Sequence, residues 1–212
     1  MTHPPEPPLA GRRVLVTGGS RGLGRGIAEA MAGAGARVAI ASRTREQVDR
    51  AAAEIPGATG HVFDVGDIAG IPALVDEVEA ALGGGLSTVV HAAGTQHRQP
   101  AEDFDIEAFR RVLEVNLVAP FALSQEIGRR QLDRESGGQH IFIGIAPGYF
   151  RAELTEAVFA DEEWRRSSLG RIPMARFGEA SDVGGVAVFL ASEAAGYVTG
   201  QMLPVDGGWL AA

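Results

Sequence analysis

The chain contains no cysteine, so it has no disulfide framework and no thiolate that could bind a metal or act as a nucleophile. All 19 of its basic residues are arginine, so no step of its chemistry can use a lysine ammonium group. No apolar run approaches the roughly 20 residues of a membrane helix, and the segment MTHPPEPPLAG lacks the apolar centre of a signal peptide. These absences exclude thiol chemistry and favour a soluble, cytoplasmic protein.

The chain has 212 residues and a formal net charge of −8 at pH 7, and 45% of its residues are hydrophobic. This length and this composition are typical of one globular domain with an ordinary core. The acidic balance argues against a nucleic-acid or anionic-membrane partner, because attraction to phosphate requires a basic face. Four prolines within residues 1–10 indicate a flexible tail, which leaves residues 11–212 as a single domain.

Short apolar runs alternate with segments of helical periodicity along the chain. Strands are predicted at 13–18, 37–42, 61–65, 87–94, 140–148 and 199–208, and helices at 23–34, 44–55, 68–82, 105–130 and 181–191. Apolar strands joined by helices specify a parallel sheet that is covered on both faces. We therefore predict an α/β fold, a single-domain Rossmann-type doubly wound sheet that binds ligands at the carboxyl ends of its strands.

A glycine-rich turn, TGGSRGLG at residues 17–24, leaves the first predicted strand and opens the first predicted helix. Gly18 permits the tight turn, and Gly22 and Gly24 lack a Cβ, so the backbone can approach a pyrophosphate. A glycine cluster alone is also typical of a simple tight turn, but its place between strand and helix favours dinucleotide binding. The predicted phosphate-binding residues are Gly18, Ser20, Arg21, Gly22, Leu23 and Gly24.

The second predicted strand ends at Ser42 and Arg43. A carboxylate at this place would bind a ribose 2′-hydroxyl and repel a 2′-phosphate. The hydroxyl of Ser42 and the guanidinium groups of Arg43 and Arg21 instead suit a 2′-phosphate through charge-assisted hydrogen bonds. Each arginine alone is equally well explained as a solvated surface charge. Together they favour NADP(H) over NAD(H).

These residues resemble the classical short-chain dehydrogenase/reductase family, and the resemblance covers about residues 11–211. The motifs that carry it are TGGSRGLG, DV at 64–65, HAAG at 91–94, VNL at 115–117, APGYF at 146–150, RIPMARFGEASDV at 171–183 and YVTGQMLPVDGGW at 197–209. The resemblance implies an NADP(H)-dependent oxidoreductase acting on a carbonyl or secondary-alcohol substrate. It places the adenine, ribose and nicotinamide among Asp64, Val65, Ala93, Gly94, Val115, Pro147 and Gly148.

Asn116 lies within the longest predicted helix, inside a stripe of apolar residues formed by Phe109, Val112, Leu113, Leu117 and Phe121. An inward-facing amide there needs partners, since an unpaired one costs about 1–3 kcal/mol. Pro120 has no N–H and leaves the carbonyl of Asn116 without its helical donor. One interpretation is a kinked helix with a buried structural asparagine. The resemblance implies instead that Asn116 is the catalytic asparagine of the family.

The family also has a serine after the fifth strand and a Tyr-x-x-x-Lys motif on the next helix, and neither is present here. Tyr149 and Tyr197 are the only tyrosines, and neither is followed by a lysine. One run, residues 141–145, serves as both the fifth and the sixth strand of the family. By this comparison the chain lacks the catalytic loop, one helix and one strand.

Several functions remain open at this point. The leading hypothesis is an oxidoreductase with an intact NADP site and an incomplete catalytic centre, and so with weak or absent activity. The alternatives are an inactive cofactor-binding or partner subunit, a non-redox isomerase or cyclase, and an ordinary reductase altered by a gene-level deletion or a sequence error. A small-molecule substrate is expected, without a metal. A homo-oligomer with an altered interface is also expected, because the missing helix exposes apolar surface.

Overall fold

The computed structural model describes residues 6–141, 145–150 and 155–211. Its main sheet has five parallel strands in the order β3-β2-β1-β4-β5. These strands are β1 Arg13–Thr17, β2 Arg37–Ser42, β3 Thr59–Val62, β4 Thr88–His91 and β5 Gln139–Ile141. The predicted Rossmann-type α/β class is therefore confirmed.

Helices cover both faces of this sheet. They are α1 Gly22–Gly33, α2 Arg45–Glu54, α3 Ile71–Leu82, α4 Ile106–Leu113, α5 Ala119–Asp133, α6 Glu156–Phe159, α7 Glu162–Leu169 and α8 Ala180–Ala191. A π-helical turn, Glu114–Val118, joins α4 to α5, so the long helix is continuous but wider and underwound at its centre. Within the part of the chain that is described, none of these helices combines the length and the apolar character needed to cross a bilayer.

The core has two layers because side chains alternate across the strands. Val14 and Val16 of β1 pack with one cluster, on the side of α1 and α8, whereas Leu15 packs with the other, on the side of α3 and α5. Helices α1 and α8 approach closely at two glycines. A Cβ at Gly26 would lie 2.4 Å from the Cβ of Ala180, so only glycine fits there.

The run predicted to serve as one fifth strand is divided between two sheets, which corrects that prediction. β5 ends at Ile141, and β6, Ile145–Pro147, pairs in parallel with β7, Leu203–Val205, in a separate two-stranded sheet. The division has a geometric reason: Val90 pairs with Ile141, and β4 ends one residue later, so the run continues beyond its neighbour. The last predicted strand therefore pairs with the second half of this run, β6, and not with β5. Residues 142–144 of the run lie outside the described residues.

Three local predictions also need correction. β3 lies earlier than predicted, because its ladder with β2 begins at Thr59 and ends at Val62. The spacing of Thr44 and Gln47 predicts a capping box at the start of α2, but the side chain of Thr44 makes no capping hydrogen bond there. Leu9, within the segment expected to be a flexible tail, is fully buried, and its N–H donates to the carbonyl of Ala34. Residues 1–5 of that segment are outside the described part.

Candidate functional site

A cleft of about 360 Å³ opens at the carboxyl ends of the main-sheet strands, where this fold class binds its ligands. The turn before α1, the loops after β2, β3 and β4, and the segment after β6 form its walls. All fifteen residues predicted to bind a cofactor line it: Gly18, Ser20, Arg21, Gly22, Leu23, Gly24, Ser42, Arg43, Asp64, Val65, Ala93, Gly94, Val115, Pro147 and Gly148. The fold thus brings together segments up to 130 residues apart in the chain.

The glycine turn is this compact only because Gly18 and Gly24 have no side chains. Gly18 has a φ of +70°, and a Cβ there would lie 2.7 Å from the backbone N of Ala93. A Cβ at Gly24 would lie 2.4 Å from the carbonyl oxygen of Gly18. Helix α1 begins at Gly22 without a side-chain cap, so its first N–H groups suit an anionic ligand. This geometry fits the pyrophosphate of a dinucleotide.

Two guanidinium groups lie on the side of the cleft where the second strand ends. Arg43 follows β2 and Arg21 lies in the glycine turn, and both line the cleft beside Ser42. Thr44 and Gln47 also line it, and sequence reasoning did not assign them to the site. Gln47 lies four residues after Arg43, and this spacing was the sequence signal that could have assigned it to the site. The arrangement suits a 2′-phosphate.

Asp64 has both of its carboxylate oxygens engaged. Oδ1 accepts the N–H of Gly66 at 2.9 Å, and Oδ2 accepts Nη2 of Arg111 at 2.8 Å. Partial burial acts to raise the pKa of Asp64, but these two hydrogen bonds and the charges of Arg111 and Arg43 outweigh it and hold the pKa below its usual value. Arg111 was also missed by sequence reasoning, because nothing local links it to residue 64.

Asn116 lies at the rim of the cleft and not in the core. Its Oδ1 accepts the N–H of Thr95 at 2.9 Å, and its Nδ2 donates to the carbonyl of Thr95 at 2.8 Å. The side chain is exposed, so the expected inward-facing, buried amide is wrong. Both polar atoms of the Asn116 amide nevertheless have hydrogen-bond partners, and these two bonds hold the loop after β4 against the π turn. Thr95, which lines the cleft, is a further residue that sequence reasoning missed.

The apolar residues around Asn116 are exposed as well. Leu117 and Phe121 are 62% and 63% exposed. We call the exposed residues of this face the α4–α5 stripe: Ile106, Phe109, Leu113, Leu117 and Phe121. Four of these residues, Phe109, Leu113, Leu117 and Phe121, were expected to face inward. The stripe stays exposed because no helix in the described ranges packs on it. The connection between β5 and β6, residues 142–144, is too short to supply one.

Tyr149 lines the cleft just after Pro147 and Gly148, but its ring is held by aromatic packing. It meets Trp164 and Trp209 edge to face, with ring centroids 5.1 and 4.9 Å apart. Trp209 in turn makes a cation–π contact with Arg171, whose guanidinium carbon lies 4.2 Å from the ring centroid. Tyr149 therefore belongs to an aromatic cluster that closes this side of the cleft.

His91 ends β4 beneath the cleft, and its Nε2 lies 2.8 Å from Oγ of Ser124. Burial, with a smaller effect from the charge of His140, lowers the pKa of His91 to about 3. The imidazole is therefore neutral at pH 7 and cannot act as a cationic general acid. Among the residues with described positions, no three His, Asp or Glu side chains converge as metal ligands would.

The sequence matches two family models. The model of short chain dehydrogenases matches residues 12–151, and the model described as enoyl-(acyl carrier protein) reductase matches residues 137–210. A 2-dehydro-3-deoxy-D-gluconate 5-dehydrogenase from Bacillus subtilis is 35% identical over 245 residues, which cover 95% of this chain and 96% of the relative. A 5-keto-D-gluconate 5-reductase from Escherichia coli is 30% identical over 248 residues, covering 96% of this chain and 97% of the relative.

Solved structures show the same likeness. A gluconate 5-dehydrogenase from Burkholderia cenocepacia, crystallised with NADP and tartrate, superposes with a TM-score of 0.88 at 30% identity. The superposition covers 98% of this chain and 98% of that one. The likeness therefore extends over the whole domain and includes the cleft.

Proposed function

The chain belongs to the short-chain dehydrogenase family of oxidoreductases, and we propose that residues 11–212 form one NADP(H)-binding domain with an incomplete catalytic centre. The convergence of all fifteen predicted residues on one cleft carries this proposal. A carbonyl or secondary alcohol is the substrate class. Redox turnover is slow or absent because the catalytic centre is incomplete.

The residues of the cleft fit NADP(H). The glycine turn and the start of α1 hold the pyrophosphate, Arg21, Ser42 and Arg43 hold the 2′-phosphate, and the segments at Asp64 and Gly148 flank the adenine and the nicotinamide ring. Bound there, the nicotinamide supplies hydride transfer. Gluconate dehydrogenases of similar structure were crystallised with NADP, which supports this cofactor.

The incomplete centre rests on observations from the chain itself. It has no lysine, and its one tyrosine at the cleft, Tyr149, is packed between Trp164 and Trp209. The alignment with the Bacillus relative runs over 245 residues, more than the 212 in this chain, so the relative has segments without a counterpart here. Three residues between β5 and β6 leave no room for a catalytic helix. Of the family's catalytic residues only Asn116 is retained, and its amide orders the loop at Thr95.

The names of the relatives narrow the substrate. They include a 5-keto-D-gluconate 5-reductase and two dehydrogenases that act on carbon 5 of gluconate derivatives. We therefore take a keto acid of a sugar as the substrate class to test first. The second candidate function is a cofactor-binding partner subunit without redox activity, which the packed Tyr149 and the absence of lysine favour.

NADPH is expected to bind at least about tenfold more tightly than NADH, because the 2′-phosphate meets two guanidinium groups. Isothermal titration calorimetry of the purified chain measures both dissociation constants. Arg43→Met should weaken NADPH binding by about tenfold and leave NADH binding within about twofold, since only the phosphorylated ribose contacts that guanidinium. Arg45→Met, at the first residue of α2 and two residues after Arg43, is the matched control, because Arg45 does not line the cleft.

Two results would contradict the proposal. Equal affinity for the two dinucleotides would remove the assignment of Arg21 and Arg43 to the 2′-phosphate. No heat with either dinucleotide, from a chain that unfolds cooperatively, would remove the cofactor site itself and leave the chain as a family member that binds no nicotinamide dinucleotide.

The chain is also proposed to self-associate through the α4–α5 stripe. A second copy, related by a two-fold axis, is the occupant that the charges favour. Asp103 and Asp105 lie at one end of the stripe and Arg129, whose Nη1 is 3.8 Å from a carboxylate oxygen of Glu126, lies towards the other, so an antiparallel copy brings the acidic end near Arg129. Five large apolar side chains at the centre supply the apolar part of such an interface, which typically buries roughly 800 Å² per partner.

Phe121→Glu is expected to convert a dimer at micromolar concentration into a monomer, because it places a charge at the centre of the apolar contact. Sedimentation velocity measures the mass in solution. Met202→Glu is the matched control, since Met202 is also exposed and apolar but lies outside the stripe, directly before β7. A wild-type chain that sediments as a monomer, or a dimer that survives Phe121→Glu, would show that the stripe is not the interface.

A further inference from the structure

Arg111 reaches from α4 to the turn that follows β3. Its Nη2 donates to Oδ2 of Asp64 at 2.8 Å across 47 residues of sequence. Its guanidinium lies directly over Gly66, where a Cβ would come 2.7 Å from Nη1. Arg111 itself does not line the cleft, whereas Asp64 does. The arginine therefore acts on the cleft through the carboxylate that it holds.

The charge of Asp64 matters because of what lies beside it. Arg43, which the proposed function assigns to the 2′-phosphate, lies close enough to Asp64 for its charge to lower the pKa of that carboxyl. An unpaired carboxylate there would attract the Arg43 guanidinium and would repel a dianionic phosphate on the same wall of the cleft. The ion pair with Arg111 prevents both effects.

We propose that Arg111 is a positioning residue for cofactor specificity, which holds Asp64 in an ion pair and so leaves Arg43 to the 2′-phosphate. The inference rests on the proposed NADP(H) site and adds a residue outside it. Oδ1 of Asp64 is restrained as well, by the N–H of Gly66 at 2.9 Å, so the carboxylate has one orientation with both oxygens turned to these donors.

A purely structural role for this ion pair is a weaker explanation. The side chains of Arg111 and Asp64 are 46% and 40% exposed, and exposed ion pairs contribute little to stability. Helix α4 is also held by the Asn116–Thr95 hydrogen bonds one turn further along. Removing the Arg111 charge should therefore leave the fold intact and change the electrostatics of the cleft.

The test is the ratio of the dissociation constants for NADPH and NADH, measured by calorimetry on the full chain. Arg111→Met is expected to weaken NADPH binding by about tenfold and to change NADH binding by less than about twofold. Arg111→Lys should restore most of the NADPH affinity, because an ammonium can also pair with Asp64. Arg110→Met is the control on the same helix, since Arg110 pairs with Glu107 of that helix and does not line the cleft.

A second pair of variants tests the route through Asp64. In an Asp64→Asn background, Arg111→Met should have no further effect on the NADPH to NADH ratio. An unchanged ratio for Arg111→Met, equal losses for both dinucleotides, or a full effect in the Asp64→Asn background would each overturn the inference. These results differ from failure of the proposed function, in which the wild-type chain binds neither dinucleotide or loses no selectivity with Arg43→Met.

Discussion

NADPH oxidation with 5-keto-D-gluconate is expected to be about 10²–10⁴-fold slower than that of the Escherichia coli 5-keto-D-gluconate 5-reductase, because a positioned general acid contributes that much. The chain has no lysine to lower the pKa of a tyrosine. Tyr149 is fixed edge to face between two tryptophan rings and has no such partner. Any turnover that is left comes from holding substrate and cofactor together, which can by itself remove roughly 7–11 kcal/mol of barrier.

The measurement is the loss of NADPH absorbance with a panel of keto acids, with the bacterial reductase assayed in parallel. Tyr149→Phe should leave any turnover unchanged, because the ring packing does not need the hydroxyl. Turnover equal to that of the relative would show that the catalytic centre is complete. A loss of turnover in Tyr149→Phe, with NADPH affinity retained, would make Tyr149 the acid.

Gly18→Ala is expected to lower the free energy of unfolding by about 2–5 kcal/mol and to abolish dinucleotide binding. A left-handed φ costs a residue with a Cβ roughly 1–2 kcal/mol, and overpacking adds about 1–3 kcal/mol. Both apply here, because the φ is +70° and the new Cβ would lie 2.7 Å from the N of Ala93 and 2.8 Å from the carbonyl of Ala92. The clash is with backbone, which no side-chain rotation relieves.

Urea unfolding of the cofactor-free chain measures this loss, and calorimetry then measures binding by the folded fraction. Gly33→Ala is the control within the same βα unit, since no atom lies within 4 Å of its Cβ position. Alanine at that helical position should stabilise the chain by up to about 1 kcal/mol. A change below about 1 kcal/mol for Gly18→Ala would show that the turn can open, and that the tight glycine geometry is not required.

The nucleotide cleft was predictable because its parts carry local signals. The glycine turn follows a buried strand directly, and Ser42 and Arg43 end the next one, so the parallel topology alone brings them to one edge. Asp64, Gly94 and Gly148 came from motifs at similar strand ends. The same local reasoning misplaced β3 and gave α2 a cap that Thr44 does not form, because short strands and caps depend on neighbours as much as on their own residues.

The α4–α5 stripe shows where local periodicity is insufficient. Apolar residues at helical spacing predict a face that is covered, but they do not say by what. Here the covering element is not found among the described residues, so Leu117 and Phe121 remain exposed, and Asn116 turns to the backbone of Thr95 at the rim. The pattern was correct about the helix and wrong about its surroundings.

The amino-acid sequence by itself determined which chemistry is available: no thiolate, no lysine, a glycine turn that suits a diphosphate and two arginines that suit a phosphorylated ribose. Only the tertiary structure decided that one apolar run would divide between two sheets and that Arg111 would hold Asp64. The physical reason is distance along the chain. Composition and turn chemistry are properties of neighbouring residues, whereas strand pairing and a contact across 47 residues arise only when the whole core packs.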